Sequence, residues 1–412
     1  MADADKKQGT GKGESRPQGR LQLAAMGMEA EFSVTLDGQP VRPEEVFGSP
    51  RAFVRGNLMH RVGTSYHLPT GGAVYFDTGV IEVATPVIEI ERGAAARCGR
   101  SLWESILYLR EQLDDWEART GRDIRLTGFS THYNVSFELP RQEQGRSRTV
   151  RKLALLLSYI LPAPVMLLAT NRRSTGVGVR PRGDRIEVTV DFTPSASLMI
   201  ATGTLIVGVV REVMTWPSFE LEMLERMGIP VIAGYKPMKH TSRKGWLAKD
   251  VCYPRSPFRA DVDETTWRTT DGRELSLRSV AGLIVKHFWH PIRRVSDPWT
   301  FRLIGSVMRG RAPSLLDLDD RPPEYEDVGR LCTWDNLFPE SELSRSRYER
   351  VLIRAISGQK LTLHGRRFTP TGMRGWSAVV FRADDDHSRH VFSIDHLLNH
   401  LRDWERPRTR GG

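Results

Sequence analysis

The chain has 412 residues, of which 39% are hydrophobic, so it is long enough for one large domain with a buried core and a smaller one beside it. Its net charge of +10 favours acidic partners such as nucleotides, phosphates or acidic proteins, and the lack of a nucleic-acid motif argues against nucleic acid. Cys98, Cys252 and Cys332 are isolated and odd in number, which argues against a disulfide framework or a thiolate zinc site and fits a reducing compartment.

The two ends of the chain carry no apolar run. We predict a disordered tail over residues 1–20, because it is rich in Lys, Gly, Asp and Gln, and a flexible tail over 406–412. The most apolar stretch, Leu198–Val210, is shorter than a bilayer span, so we expect a buried helix there. We therefore expect a cytoplasmic, soluble protein with no membrane partner.

Period-two alternation predicts a series of strands that carry polar side chains on one face. The four segments are Gly27–Val34, Gly72–Pro86, Thr131–Glu138 and Arg185–Asp191. In the second segment Tyr75 and Asp77 share a face, and Glu82 follows after the turn at Thr78 and Gly79. A phenol and two carboxylates suit a hard cation such as Mg²⁺.

The polar faces of the other three segments also carry acids. Their polar side chains include Glu29 and Glu31, then His132, Asn134 and Glu138, and then Arg185, Glu187 and Asp191. If the four strands share a sheet, its apolar face takes helices and its other face gathers carboxylates, a His and an Arg. Such a gathering is costly unless cations and a charged ligand neutralise it. A plain solvated face is the alternative explanation, and it accounts for one strand better than for four.

Helices are predicted between and after these strands. Their expected bounds are Pro43–Phe47, Leu102–Trp116, Val150–Leu161, Ser197–Met214, and a segment capped by Ser276 that runs to about His290. We expect Pro291 to stop the last of these. The stretch Ala169–Arg182 contains four arginines and two glycines, which predicts a mobile loop that contacts phosphate or carboxylate groups, or a plain basic surface loop.

The pattern of predicted elements changes at about residue 322. A Pro-containing linker, Arg321–Tyr325, precedes a predicted helix at Leu343–Ser357, a β-rich segment at Leu361–Ile394 and a final helix at Asp395–Trp404. We therefore predict a large domain over residues 21–321 and a small C-terminal domain over 322–405.

The order of these motifs resembles the Pup ligase and depupylase (Pup deamidase) family of the glutamine synthetase-like carboxylate–amine ligase superfamily. The segments that carry the resemblance are Met26–Phe32, Gly71–Thr85, Gly128–Asn134 and Arg185–Ser195, with weaker likeness at Asp271–Ser276 and around Trp376. The likeness covers about residues 21–400. It implies an α+β fold: a curved antiparallel sheet with an acidic concave face and helices on the other face, plus a small C-terminal domain.

The resemblance also implies roles for single residues, with Mg²⁺ and ATP as cofactors. Carried over by position, the implied metal ligands are Glu29, Tyr75, Glu82 and His132, and Glu31 joins them on the same face. The implied ATP contacts are Thr85, Arg185 and Trp376. The implied catalytic residues are Asp77 and Arg185. The chain departs from the family at Ala73, where the family has an arginine that contacts ATP, and at Glu187, where the ligase has a histidine.

The implied reaction is ATP-dependent activation of a carboxylate as an acyl phosphate, which an amine then attacks. The implied partners are ATP and a small Pup-like or other acidic protein, or a small carboxylate. The compact segment between Phe32 and Tyr75 favours a ligase over a depupylase- or deamidase-like isopeptide hydrolase, because the depupylase branch has an extra loop there. A phosphotransferase or ATPase on the same metal site, and a nucleotide-binding module without chemistry, remain alternatives.

Overall fold

The structure is a computed structural model that describes residues 23–136, 147–240, 245–332 and 345–404. The fold is α+β, as the resemblance implied: a large antiparallel sheet with helices packed against it, and a separate small sheet near the C-terminus. Both predicted tails, and the last two residues of the segment Thr131–Glu138, lie outside the described residues.

Twelve strands of the described chain form the large sheet, and every pairing in it is antiparallel. The strands are β1 (Ala25–Leu36), β2 (Gln39–Val41), β3 (Met59–Val62), β4 (Ser65–His67), β5 (Ala73–Asp77), β6 (Val80–Ala84), β7 (Ile88–Glu89), β8 (Ile124–Ser136), β9 (Val177–Pro181), β10 (Arg185–Asp191), β11 (Met238–Lys239) and β12 (Trp246–Ala248). Their order across the sheet is β11-β12-β9-β10-β8-β1-β6-β5-β4-β3, and β2 and β7 also pair with β1.

Two smaller sheets follow along the described chain. The strands β13 (Thr266–Arg268) and β14 (Glu274–Ser276) form a hairpin. The C-terminal sheet consists of β15 (Leu361–Leu363), β16 (Arg366–Arg374), β17 (Ala378–Ala383) and β18 (Arg389–Ser393). Most residues of the second hydrophobic core come from this sheet and its helices, although Ala25 of β1 belongs to it too. The domain boundary near residue 322 remains a prediction.

Several α-helices pack against the large sheet. The described residues form α1 (Pro43–Phe47), α2 (Ala94–Thr120), α3 (Val150–Ile160), α4 (Pro162–Ala169), α5 (Ala196–Val213), α6 (Glu222–Arg226), α7 (Leu277–His287), α8 (Trp289–Val295), α9 (Pro298–Val307), α10 (Arg347–Ile356) and α11 (Ile394–Asn399). Helix α5 approaches the sheet so closely that a Cβ on Gly203 would lie 2.7 Å from the Met28 side chain.

The alternation in β1 explains why the sheet has one apolar and one polar face. Met28, Ala30 and Phe32 are fully buried in the main core, whereas Glu29 and Glu31 between them are only partly buried. Because successive side chains of a strand point to opposite faces, the apolar set meets the helices and the acids lie on the other side. This confirms the polar face that the sequence pattern predicts for β1.

One described helix, α5, is long and apolar enough by length and composition to cross a membrane, and the bent pair α3 and α4 would count as a second such segment. In α5, 83% of the apolar window is buried inside the protein, and the core helix of a soluble protein passes the same test. The expected buried helix at Leu198–Val210 is therefore confirmed.

Two local predictions are wrong. Val177–Pro181, within the predicted loop Ala169–Arg182, is a strand, because β9 finds partners on both β10 and β12. Pro291 does not stop a helix: α7 ends at His287, and Pro291 lies in the first turn of α8, where a missing N–H costs no hydrogen bond.

Candidate metal and nucleotide site

The strand register brings the predicted acids into neighbouring positions across four strands. Glu31 of β1 lies opposite Glu82 of β6 on one side and opposite Ser130 of β8 on the other. Glu82 in turn lies opposite Tyr75 of β5. One row across the polar face therefore reads Tyr75, Glu82, Glu31 and Ser130. In the adjacent row, Glu29 lies opposite His132.

His132 is at the centre of this acidic cluster, which we define as Glu29, Glu31, Tyr75, Asp77, Glu82 and His132. Its Nδ1 lies 3.2 Å from Glu29 Oε2 and 4.0 Å from Glu82 Oε1, and its Nε2 lies 3.6 Å from Glu31 Oε1. The Tyr75 hydroxyl donates to Glu82 Oε1 at 2.5 Å. Glu82 and His132 are each 3% exposed, so water does little to screen these groups.

Two overlapping sets of side chains could each hold a metal ion. In the first, ligand atoms of Glu29, Glu82 and His132 all lie within 4.8 Å of one another, and in the second the same holds for Glu31, Asp77 and Glu82. Glu82 belongs to both sets. Asp77 also accepts a hydrogen bond of 2.9 Å from the Thr78 hydroxyl, at the turn between β5 and β6. The structure therefore places the predicted acid/base residue beside the predicted metal ligands.

The electrostatics of the acidic cluster indicate a deficit of positive charge. Burial and the nearby charge of Glu29 raise the pKa of Glu82 well above its usual range, and burial with Glu29 and Glu82 raises the pKa of Tyr75. Burial also acts to raise the pKa of Glu29, but the hydrogen bond and charge of His132 outweigh it, and the pKa of Glu29 falls below its usual value. The carboxylates therefore cannot all be ionised without a further cation.

The donors of the acidic cluster fit Mg²⁺. Mg²⁺ is bound in proteins through one or two carboxylates together with water and substrate phosphates, and a cluster of carboxylates with little exposure suits this arrangement. Glu29, Glu31 and Glu82 are the residues that would hold it, with Asp77 and His132 within reach.

Most of the arginines around the acidic cluster are engaged by protein groups. Arg180 Nη2 lies 3.3 Å from His132 Nε2 and also pairs with the buried Glu187. Arg182 donates to both carboxylate oxygens of Glu187 at 2.8 and 2.9 Å. Arg185 donates to Asn134 Oδ1 at 2.8 Å and pairs with Asp184 at 3.2 Å. Glu187 thus orients two of the arginines that the sequence suggests for phosphate contact.

Thr85 is not among the side chains that meet on the acidic face. Its hydroxyl accepts from the Met28 N–H at 3.0 Å and lies 3.4 Å from Cys98 Sγ on α2, and the residue is 3% exposed. The hydroxyl therefore lies on the helix side of the sheet. Its contact with ATP remains a prediction.

Trp376 reaches the acidic face from the C-terminal sheet. It lies in the turn between β16 and β17, and its ring packs edge-on against His67 of β4 with centroids 4.8 Å apart. The guanidinium carbon of Arg61 lies 5.0 Å from the Trp376 ring centroid and 5.5 Å from that of Tyr75. The structure thus connects Trp376 to the acidic cluster through Arg61.

Two residues of this site, Ser130 and Arg61, were not predicted from the sequence. Ser130 donates to Glu31 Oε2 at 2.5 Å, and its period-two spacing from His132 was the signal that could have found it. Arg61 lies in an irregular part of β3, where the register shifts between His60 and Val62. No alternation marks such a bulge, so its direction could not be inferred from the pattern.

Comparison with protein-family models gives no match to this chain, and neither does comparison with curated proteins. Among solved structures, the chain is similar to the ligase in the crystal structure of the complex between the prokaryotic ubiquitin-like protein Pup and its ligase PafA, with a TM-score of 0.50 and 12% identity. The match covers 92% of this chain and 93% of that chain. A structure of the Pup ligase PafA in complex with ADP gives a TM-score of 0.39 at 11% identity, over 88% of this chain and 94% of that one, which is too weak to support an argument. The fold of this chain is therefore similar to that of the Pup ligase PafA.

Proposed function

We propose that this protein is an ATP- and Mg²⁺-dependent ligase that activates a carboxylate for attack by an amine, in the manner of a Pup ligase. The observation that carries the proposal is the convergence of Glu29, Glu31, Glu82 and His132 from three strands on one cluster of partly or fully buried side chains. The fold similarity to a Pup ligase supports the same conclusion. By that similarity, the proposed partner is a small Pup-like or other acidic protein, or a small carboxylate.

The proposed reaction has two steps. A carboxylate oxygen of the first substrate attacks the γ-phosphorus of ATP, so that ADP leaves and an acyl phosphate forms. The amine nitrogen of the second substrate then attacks the acyl carbon, and phosphate leaves with the bonding electrons. Mg²⁺ in the acidic cluster would neutralise phosphate charge and orient the γ-phosphoryl group for in-line transfer.

The proton of the attacking ammonium goes to Asp77 in this proposal. Asp77 lies at the end of β5 beside Glu31 and Glu82, and its Oδ1 is held by the Thr78 hydroxyl. A carboxylate in that position can act as a general base once the amine substrate is bound next to it. Arg185, whose charge reaches Glu29, is proposed to stabilise the transferring phosphoryl group.

The test is incubation of the purified protein with ATP, Mg²⁺ and cell lysate, followed by mass spectrometry for ADP and for new amide conjugates. A ligase forms ADP and a conjugate together. ADP without a conjugate indicates a phosphotransferase or ATPase, and loss of existing isopeptide conjugates indicates a hydrolase.

The variant Asp77→Asn separates chemistry from binding. We expect turnover to fall by about 10²–10⁴-fold, the usual contribution of a general base, while Mg-ATP affinity stays within about threefold of wild type. Turnover is measured as ADP release and affinity by calorimetry. An Asp77→Asn protein that turns over ATP at the wild-type rate would remove Asp77 from the mechanism.

A further inference from the structure

Arg61 of β3 is a cation with few hydrogen-bond partners in the protein. The Arg61 side chain is partly buried, and its Nε is shielded from solvent and has no hydrogen-bond partner. Its Nη1 donates to the Ser65 hydroxyl at 3.4 Å. Within the described ranges, no carboxylate pairs with Arg61, in contrast to the pairs that Arg180, Arg182 and Arg185 make.

The position of Arg61 is enforced by two aromatic rings. Its guanidinium lies over Tyr75 of the acidic cluster and over Trp376 of the β16–β17 turn, so one planar group bridges the large sheet and the C-terminal sheet. His67, fully buried beneath, packs edge-on against Trp376 and supports the same arrangement. Stacked arginines keep their in-plane donors available, because the rings contact the face of the guanidinium and not its edge.

We propose that Arg61, held between Tyr75 and Trp376, binds the phosphate chain of the nucleotide at the acidic cluster, in addition to Arg185. This inference rests on the proposed function, since it assumes that a nucleotide binds there. A buried guanidinium donor without a partner costs free energy unless a ligand satisfies it, and phosphate oxygens match the fork of an arginine. The Tyr75 hydroxyl donates to Glu82, so an anion bound by Arg61 lies beside the predicted metal ligands.

Arg51, in the short 3-10 turn Pro50–Ala52, offers a matched control. Its guanidinium lies 4.7 Å from the ring centroid of Tyr66, so it also stacks on an aromatic residue of β4. Arg51 is exposed, and Tyr66 is next to His67 in the strand and therefore points to the opposite face of the sheet. Replacing Arg51 removes an arginine–aromatic contact without touching the acidic cluster.

The experiment measures the affinities of wild type, Arg61→Ala, Arg61→Lys and Arg51→Ala for Mg-ATP, Mg-ADP and adenosine by calorimetry. We expect Arg61→Ala to weaken Mg-ATP binding by about 10- to 100-fold and adenosine binding by less than about twofold, because only the phosphates meet the guanidinium. Arg61→Lys should recover part of the loss, and Arg51→Ala should match wild type. Equal midpoints of thermal unfolding in all four proteins show that the differences arise from binding.

Three results would overturn the proposal. Mg-ATP affinity of Arg61→Ala within about twofold of wild type would overturn the role of Arg61 and leave the proposed function standing. An equal loss for adenosine and Mg-ATP would overturn it too, because the arginine would then only hold Trp376 in place. If the wild-type protein binds none of the three ligands, the proposed function falls, and the assignment of Arg61 falls with it.

Discussion

The protein contains two concentrations of carboxylates, and they differ in what neutralises them. In the acidic turn, Asp384–Asp386 between β17 and β18, every acid is paired with a cation: Lys360 lies 2.7 Å from Asp384, and Arg366 lies 2.8 Å from both Asp385 and Asp386. The acidic cluster on the large sheet is partly to fully buried, and three of its acids, Glu29, Glu31 and Glu82, lie around one histidine.

The pKa values of the two regions differ in the same way. In the acidic turn, the hydrogen bond from Arg366 lowers the pKa of Asp385, and the hydrogen bond from Lys360 lowers that of Asp384. In the acidic cluster, burial and Glu29 raise the pKa of Glu82. Carboxylates that are paired with cations at the surface serve the fold, whereas a cluster of carboxylates with little exposure marks a place for a charged ligand.

The largest expected difference between the two regions is in metal-dependent nucleotide binding. We expect Glu82→Gln to reduce Mg-ATP binding below detection, because Glu82 belongs to both sets of ligand atoms. Asp385→Asn in the acidic turn is the control and should bind Mg-ATP as wild type does. Calorimetry with and without Mg²⁺ makes the measurement. An equal loss of Mg-ATP binding in both variants would contradict the distinction between the acidic cluster and the acidic turn.

Ion pairs provide a second comparison between buried and exposed charge. Arg100 of α2 lies 2.7 Å from Glu349 of α10, and the two residues are 5% and 0% exposed. We expect Arg100→Ala to lower the free energy of unfolding by about 3 kcal/mol, because it leaves a buried carboxylate with fewer cations. Arg366→Ala, at the surface, should leave it unchanged within error. Urea unfolding of both variants checks this, and a comparable loss in the two would contradict the distinction.

A smaller effect is expected from His67, which lies between the two sheets. Burial, with the charge of Arg61, lowers the pKa of His67 to about 3 in the folded protein, against 6.5 ordinarily. Its stabilising contribution is therefore complete above pH 6.5 and is lost as the pH falls towards 3, because the unfolded chain takes up the proton first. Between pH 6.5 and 5 the loss amounts to about 2 kcal/mol.

The control for His67 is His67→Phe, which keeps a ring against Trp376 but cannot titrate. Urea unfolding at pH 7.5 and pH 5.0 should show that wild type loses about 2 kcal/mol more than this variant does. The same pH dependence in both proteins would show that His67 is not held neutral by its surroundings.

The face of the sheet to which each acid belongs could be predicted from the sequence, but of its neighbours only those within a hairpin could be. Period-two alternation places Glu29 and Glu31 on one face of β1, and the turn at Thr78 and Gly79, both with positive φ, makes Tyr75 the partner of Glu82. The pairing of Glu31 with Glu82 depends on the order of strands from separate parts of the chain, which local patterns do not encode.

Thr85 and Trp376 show two different limits of sequence reasoning. Thr85 follows Glu82 by three residues, so the alternation itself indicates the opposite face, and its place beside Cys98 could have been anticipated. The contact between Trp376 and Arg61 joins residues more than three hundred positions apart and depends on a bulge in β3, so no local signal points to it.

The central claim is that the acidic cluster on the large sheet, and not the acidic turn, binds a divalent cation together with a nucleotide. Anomalous diffraction from crystals grown with Mn²⁺ and a non-hydrolysable ATP analogue tests it most directly. We predict a peak at coordination distance, about 2.2 Å, from a Glu82 oxygen, with Glu29 or Glu31 as a second ligand. A peak at Asp384–Asp386 alone, or no peak among Glu29, Glu31 and Glu82, would contradict the account.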